Sequence, residues 1–207
     1  LAASRLGSTI EEQPGNEDAA LMIMTLHRNV RQLEALVAKV LEENANLLSE
    51  ESLLLERRYF DLWPMVESLL RSIGPVAQNA GTRVVNAIPH DLVVYADATM
   101  LRRVFQNLLS NSIAYTAKGE VHIGAKHNDS DTGLEFWVSD NGSGVTKARL
   151  ERIFEKGQGD AKRAESTGLG LANVRPFVEA HGGTVRAESV DGSGTTVIFN
   201  LPDESLK

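Results

Sequence analysis

Ser139-Asp140-Asn141-Gly142-Ser143-Gly144-Val145 follows Leu134, Phe136 and Val138, an apolar alternation of period two that predicts a strand. A carboxylate at the strand end is followed by two glycines one residue apart. A carboxylate is a fixed acceptor, and glycines let backbone approach a ligand closely. The combination suits a purine with an exocyclic amine, though D-x-G-x-G alone also reads as a plain turn. Two further segments bear on the choice: Asn107-Leu108-Leu109-Ser110-Asn111 upstream and Gly168-Leu169-Gly170-Leu171 downstream.

Asn107 and Asn111 are one helical turn apart, so both amides lie on one face. An amide carbonyl is a hard neutral oxygen suited to magnesium, which keeps several waters and takes few protein ligands. Hydrogen bonding between elements is the other reading of the pair. Thr167 to Leu171 stands where a loop becomes a helix, and glycines there let backbone approach phosphate oxygens at a helix N-terminus. Caps and tight turns use the same residues. The polar stretch 157–166 before it has the composition of a lid, and Lys156, Lys162 and Arg163 could reach a polyphosphate or form a solvated run.

The 207 residues suffice for one good-sized domain plus an appendage, or for two small domains. A net charge of −7 argues against a nucleic-acid surface. The absence of cysteine excludes disulfides, thiolate catalysis and cysteine zinc sites. No apolar run approaches the roughly 20 residues that span a bilayer. The first residue is leucine, and the expectation is a piece of a longer protein.

Leu26, Val30, Leu33, Val37 and Val40 step by four and three, an a/d seam over about two heptads. It predicts a helix over 21–48, and a dimeric bundle is favoured over a surface helix. Gln13-Pro14-Gly15-Asn16 is a turn signal, making residues 1–52 a helical hairpin with a shortened first arm. Residues 53–207 read as a second domain. Asp61 can cap a helix to about Asn79, with Pro64 in its first turn and Pro75 expected to kink or end it. Strands are predicted over 82–88, 92–96, 120–126, 134–139, 184–190 and 195–201. Helices are predicted from Asp97 through Ile113, near 147–154 and over 169–180 despite Pro176. This is an α+β chain, a two-layer α/β sandwich with a mixed sheet and helices on one face.

Taken in order, these segments resemble the nucleotide-binding half of bacterial sensor histidine kinases. Asn107–Thr116 is similar to that family's asparagine box, Asp140–Val145 to its first glycine box, Ile153-Phe154-Glu155 to its phenylalanine box and Gly168–Leu171 to its second glycine box. The resemblance covers roughly residues 53–202 and implies a Bergerat-type ATP-binding fold. It implies ATP and Mg2+ as cofactors, with Asp140 accepting the adenine amine and Asn111 coordinating the metal. Asn107 lies close to the phosphates or metal shell in this reading, and the two asparagines form the catalytic pair. The implied cofactor-binding set is Asp140, Gly142, Gly144, Tyr115, Lys156, Gly168, Leu169, Gly170 and Leu171. The implied partners are a response regulator receiver domain and a second copy joined through the hairpin. The expected location is cytoplasmic, with a membrane anchor elsewhere in the parent left open.

The family's phosphoacceptor signature, His-Glu/Asp-x-Arg-x-Pro, is absent here. The expectation is an acceptor histidine just upstream of Leu1, and His27, followed by Arg28-Asn29-Val30, does not match it. His181 reads as a helix C-terminal residue where a cation is mildly favoured. Ala114 stands where many relatives carry lysine. Three other readings compete. A superfamily ATPase of the gyrase kind would place glutamate, as base for water, where Asn107 stands, and asparagine cannot act as that base. A degenerate kinase would use nucleotide or dimerisation only to position a partner. A serine kinase of the anti-sigma type is disfavoured by the hairpin.

Overall fold

In the computed structural model the described residues are 55–128, 133–155 and 170–202, together with Thr25, which is helical. The chain divides after Leu53 into two units, and the second, Leu54–Lys207, holds all of these residues except Thr25. Apart from Thr25, the expected hairpin lies outside the described residues. So do the expected lid and Lys156, Gly168 and Leu169.

The order is β1 (Arg57–Asp61), α1 (Leu62–Ala80), β2 (Arg83–Asn86), β3 (Val93–Asp97) and α2 (Ala98–Tyr115). Then come β4 (Glu120–His127), β5 (Gly133–Asp140), α3 (Lys147–Leu150), α4 (Gly170–Ala180), β6 (Thr184–Val190) and β7 (Gly194–Pro202). Five strands form one sheet in the order β2-β4-β5-β7-β6. β2 runs parallel to β4 and the remaining pairs are antiparallel, so the sheet is mixed as the sequence predicts. The period-two alternation of β5 turns Leu134, Phe136 and Val138 into the core beside Val121 and Ile123 of β4 and Val197 and Phe199 of β7. Phe136 stacks on Phe199 at 4.8 Å between ring centroids, and Phe105 of α2 meets both rings. Helix α2 is thus the central helix of the covering layer. It buries Leu101, Val104, Phe105, Leu108, Leu109 and Ile113.

One pairing lies beyond the sequence reading, and one expectation is narrowed. β1 pairs antiparallel with β3 in a two-stranded ribbon separate from the main sheet, Tyr59 opposite Tyr95. Strand alternation alone carries no information about which partner a strand takes. Of the two outcomes expected at Pro75, a kink or an end, the end does not occur: α1 continues to Ala80 and closes on Gly81 with φ 68°. The proline deprives the Arg71 carbonyl of its intrahelical donor, and both residues are exposed, where solvent can satisfy the carbonyl.

Candidate functional site

Helix α2 begins on a full cap: Asp97 Oδ1 accepts from the N–H groups of Thr99 and Met100 at 2.9 and 3.0 Å. From that fixed start, Asn107, Asn111 and Tyr115 recur every four residues and form one half-buried stripe beside the helix's apolar face. Helix α4 starts against this stripe, where a Cβ on Gly170 would lie 3.7 Å from Asn107 Oδ1. Leu171 follows, half-buried, against the core. The two helices are antiparallel neighbours: the other end of α4 meets the start of α2, where the Asp97 N–H donates to His181 Nε2 at 3.1 Å.

His181 is therefore not the helix-end cation expected from its position. It is buried, and its Nδ1 donates to the Phe177 carbonyl at 2.7 Å while Nε2 accepts. Both ring nitrogens are committed, with the ring proton on Nδ1. Position in the sequence cannot reveal this, because Asp97 is 84 residues away.

The first glycine turn packs against the Tyr115 end of the stripe. Asp140 is the last residue of β5, and its Oδ1 accepts from the N–H groups of Gly142 at 3.0 Å and Thr195 at 3.2 Å. Its Oδ2 has no partner among the described residues. One carboxylate oxygen is held by two backbone donors, which leaves the other without a bond among the described residues. A Cβ on Gly142 would collide with the Tyr115 carbonyl oxygen, and one on Gly144, at φ 68°, with the Val190 carbonyl. The glycines therefore serve close approach of backbone to backbone. The Ser143 N–H donates to the Tyr115 carbonyl at 3.2 Å, and the Val145 N–H to Ser189 Oγ at 2.8 Å, fixing the turn to α2 and β6.

The Arg149 guanidinium carbon lies 6.0 Å from the Tyr115 ring centroid, which brings a cation to the Tyr115 end of the stripe. Ile153 and Phe154 are buried, and Arg175 of α4 lies 5.1 Å over the Phe154 ring. The phenylalanine box is thereby tied to the helix that Gly170 opens.

The structure brings together Asn107, Asn111, Tyr115, Asp140, Gly142, Gly144, Gly170 and Leu171. Sequence reasoning missed two contributors, Thr195 and Ser189, and gave no part to Asn141, whose Oδ1 accepts from the Glu120 N–H at 2.7 Å. The β5–β7 register places Thr195 opposite Asp140. No local pattern marks Ser189.

The chain belongs to the family of histidine kinase-, DNA gyrase B- and HSP90-like ATPases, whose model matches residues 96–205. Within that family it is similar to the catalytic domains of histidine kinases and spans less than half the length of the first relatives it matches. It is 34% identical over 181 residues to histidine protein kinase DivJ of Caulobacter vibrioides, spanning 86% of this chain and 30% of that protein. Among solved structures it is similar to the catalytic domain of histidine kinase ThkA, with 25% identity, TM-score 0.63, and coverage of 71% of this chain and 95% of that one. It is also similar to full-length ShkA in complex with AMPPNP, with 25% identity, TM-score 0.73, and coverage of 95% of this chain and 41% of that one. Among the described residues no helix is long and apolar enough to cross a membrane.

Proposed function

We propose that this domain binds ATP with magnesium and transfers the γ-phosphoryl group to a histidine imidazole supplied from outside residues 55–202. The observation that carries the reading is the Asp140 carboxylate, held through one oxygen by Gly142 and Thr195 and open at the other, at the Tyr115 end of the asparagine stripe. The opposite end of that stripe meets Gly170. A base held at Asp140 would direct its phosphates along Asn111 and Asn107 towards the start of α4.

Adenine gives Asp140 an N–H donor, whereas guanine presents an oxygen and would meet the carboxylate with no proton between them. Asn111 and Asn107 offer neutral oxygens beside the phosphates, and the backbone N–H groups at the start of α4 suit anionic oxygens. Asn111 would hold magnesium, which would supply neutralisation of the phosphate charge. Phosphoryl transfer demands mainly positioning and charge neutralisation, and this chain supplies the first through α2, α4 and the Asp140 turn. Lys156, Gly168 and Leu169 belong to the same proposal as the phosphate-side cation and turn. Asn107 disfavours a water-activating role, because an amide takes no proton from water.

His181 is buried with both nitrogens engaged, which disfavours it as acceptor. A receiver-domain aspartate is the next carrier of the phosphoryl group, and kinship with histidine kinases supports that partner. The 26–40 seam supports a homodimer, and a cytoplasmic location follows from the same kinship. Calorimetry tests the core claim. Magnesium-dependent ATP binding, with GTP at least about 100-fold weaker, is expected, and equal affinity for the two would refute it.

A further inference from the structure

Strand β6 ends the five-stranded sheet, and no further strand lies along its outer side among the described residues. Its register with β7 is unbroken from Thr184 to Val190, with no bulge and no proline over its seven residues. The Ser193 N–H donates to the Val190 carbonyl, and the Thr184 N–H to Asn200 Oδ1 of β7. The even-numbered residues of β6 therefore turn their backbone groups towards β7, and Val185, Ala187 and Ser189 turn theirs outward. An open edge of this kind is a template for another strand, and proteins blunt such edges by shortness, a bulge, a proline or a repelling charge. The opposite edge strand, β2, is short, with four residues. β6 is long, regular and free of proline, which leaves its charges to govern what pairs with it.

Arg186 and Glu188 are the charged residues of the strand, two apart on its solvent face, with side chains 55% and 66% exposed. Their ion pairs with each other and of Arg186 with Glu135 are exposed and worth little. A second β6 can be set antiparallel to the first about a two-fold axis through Ala187. Arg186 then stands opposite Glu188 of the second copy, and Glu188 opposite its Arg186, so both cross-strand pairs attract. In the same register the outward groups of Val185, Ala187 and Ser189 meet those of Ser189, Ala187 and Val185 of the second copy. Moving the axis to residue 186 or 188 places arginine opposite arginine or glutamate opposite glutamate. A run of one sign would repel a second copy; this pair of opposite charges selects one register for it.

We propose that the outer edge of β6 is an interaction surface for a second copy of this chain, the two edges pairing antiparallel about Ala187 so that the sheet continues across the contact. The surface is distinct from the seam expected over residues 26–40. β6 also holds the first glycine turn, since Ser189 Oγ accepts from the Val145 N–H, so the contact and the candidate site share a strand.

The chain has no cysteine, so a single introduced thiol reports its own neighbours. Ala187→Cys puts two thiols face to face across the axis, within the span a disulfide bridges, and mild oxidation of the whole chain should give a covalent dimer. Thr184→Cys is the control: it is exposed on the same strand but about 20 Å from its copy in this register, and should link at least about tenfold less. Adding Arg186→Glu or Glu188→Arg to Ala187→Cys sets like charges opposite each other twice and should lower the linked fraction about tenfold. Adding both exchanges restores complementarity and should return the yield to within about twofold. Equal linking at 187 and 184 would overturn the proposal, as would single reversals without effect, or no linking at 187 in a chain that melts like wild type. If Ala187→Cys melts early, sedimentation of the cysteine-free charge variants decides. Each single reversal should lose association that the double exchange regains, and one distribution shared by wild type and all variants would overturn the proposal.

Discussion

Asp140 and Thr195 face each other across β5 and β7, and the Thr195 N–H donates to the Asp140 carboxylate at 3.2 Å. With the Gly142 N–H on the same oxygen, the side chain is aimed before any ligand arrives. Asp140→Asn should keep both bonds through the amide oxygen and turn an NH2 towards the adenine amine. The variant should melt within about 3 °C of wild type and lose about 100-fold in ATP affinity by calorimetry. Near-native affinity would remove Asp140 from base recognition.

Gly192 and Gly194 both have positive φ, at 77° and 106°, but differ in surroundings. A Cβ on Gly192 meets nothing within 4 Å, whereas one on Gly194 collides with the Asp140 carbonyl oxygen. Gly192→Ala should therefore cost about 1 kcal/mol from backbone strain alone. Gly194→Ala should cost more and also reduce nucleotide affinity, because it displaces the strand end that carries Asp140. Denaturant titration of the two variants checks the order.

Asn111 sits at the centre of the stripe, between Tyr115 and Asn107. If its amide oxygen faces the metal, Asn111→Ala should remove the gain in ATP affinity that magnesium confers. Binding measured in excess chelator should stay within about threefold of wild type. Titrations with and without magnesium decide it, and a preserved metal effect would reassign the ligand.

Much of this architecture was legible from local pattern. The alternation before Asp140, the spacing of the asparagines and the glycines at 192 and 194 each report short-range geometry, and the elements form where they predict. What escaped depends on distant pairing. The β1–β3 ribbon needs knowledge of which strands meet. The His181–Asp97 bond joins residues that no helix or strand period relates. The continuation of α1 past Pro75 turns on whether Arg71 is wet, a property of the folded surface.

The His181 imidazole satisfies two buried backbone groups, the Asp97 N–H and the Phe177 carbonyl. His181→Phe fills the space but satisfies neither and should cost about 2 kcal/mol in chemical denaturation. His181→Gln retains an acceptor and a donor and should recover part of that loss. Equal loss in both variants would show that ring shape, rather than its bonds, matters.

The same bond has a mechanical meaning. Asp97 also accepts the Glu56 N–H on Oδ2 at 3.2 Å, and Arg57 reaches the Ala180 carbonyl at 3.4 Å, so the chain's entry into this domain is fastened where α2 and α4 join. The two helices are then like the arms of a pair of tongs, pinned near Asp97 and His181 and meeting at their tips, Asn107 and Gly170. Ten residues of helix make an arm about 15 Å long. A tilt of about 4° at the pin moves its tip by about 1 Å, a displacement large enough to matter to catalysis. A pull on the entering chain and a shift of the Asn107–Gly170 contact are, in this geometry, two ends of one lever.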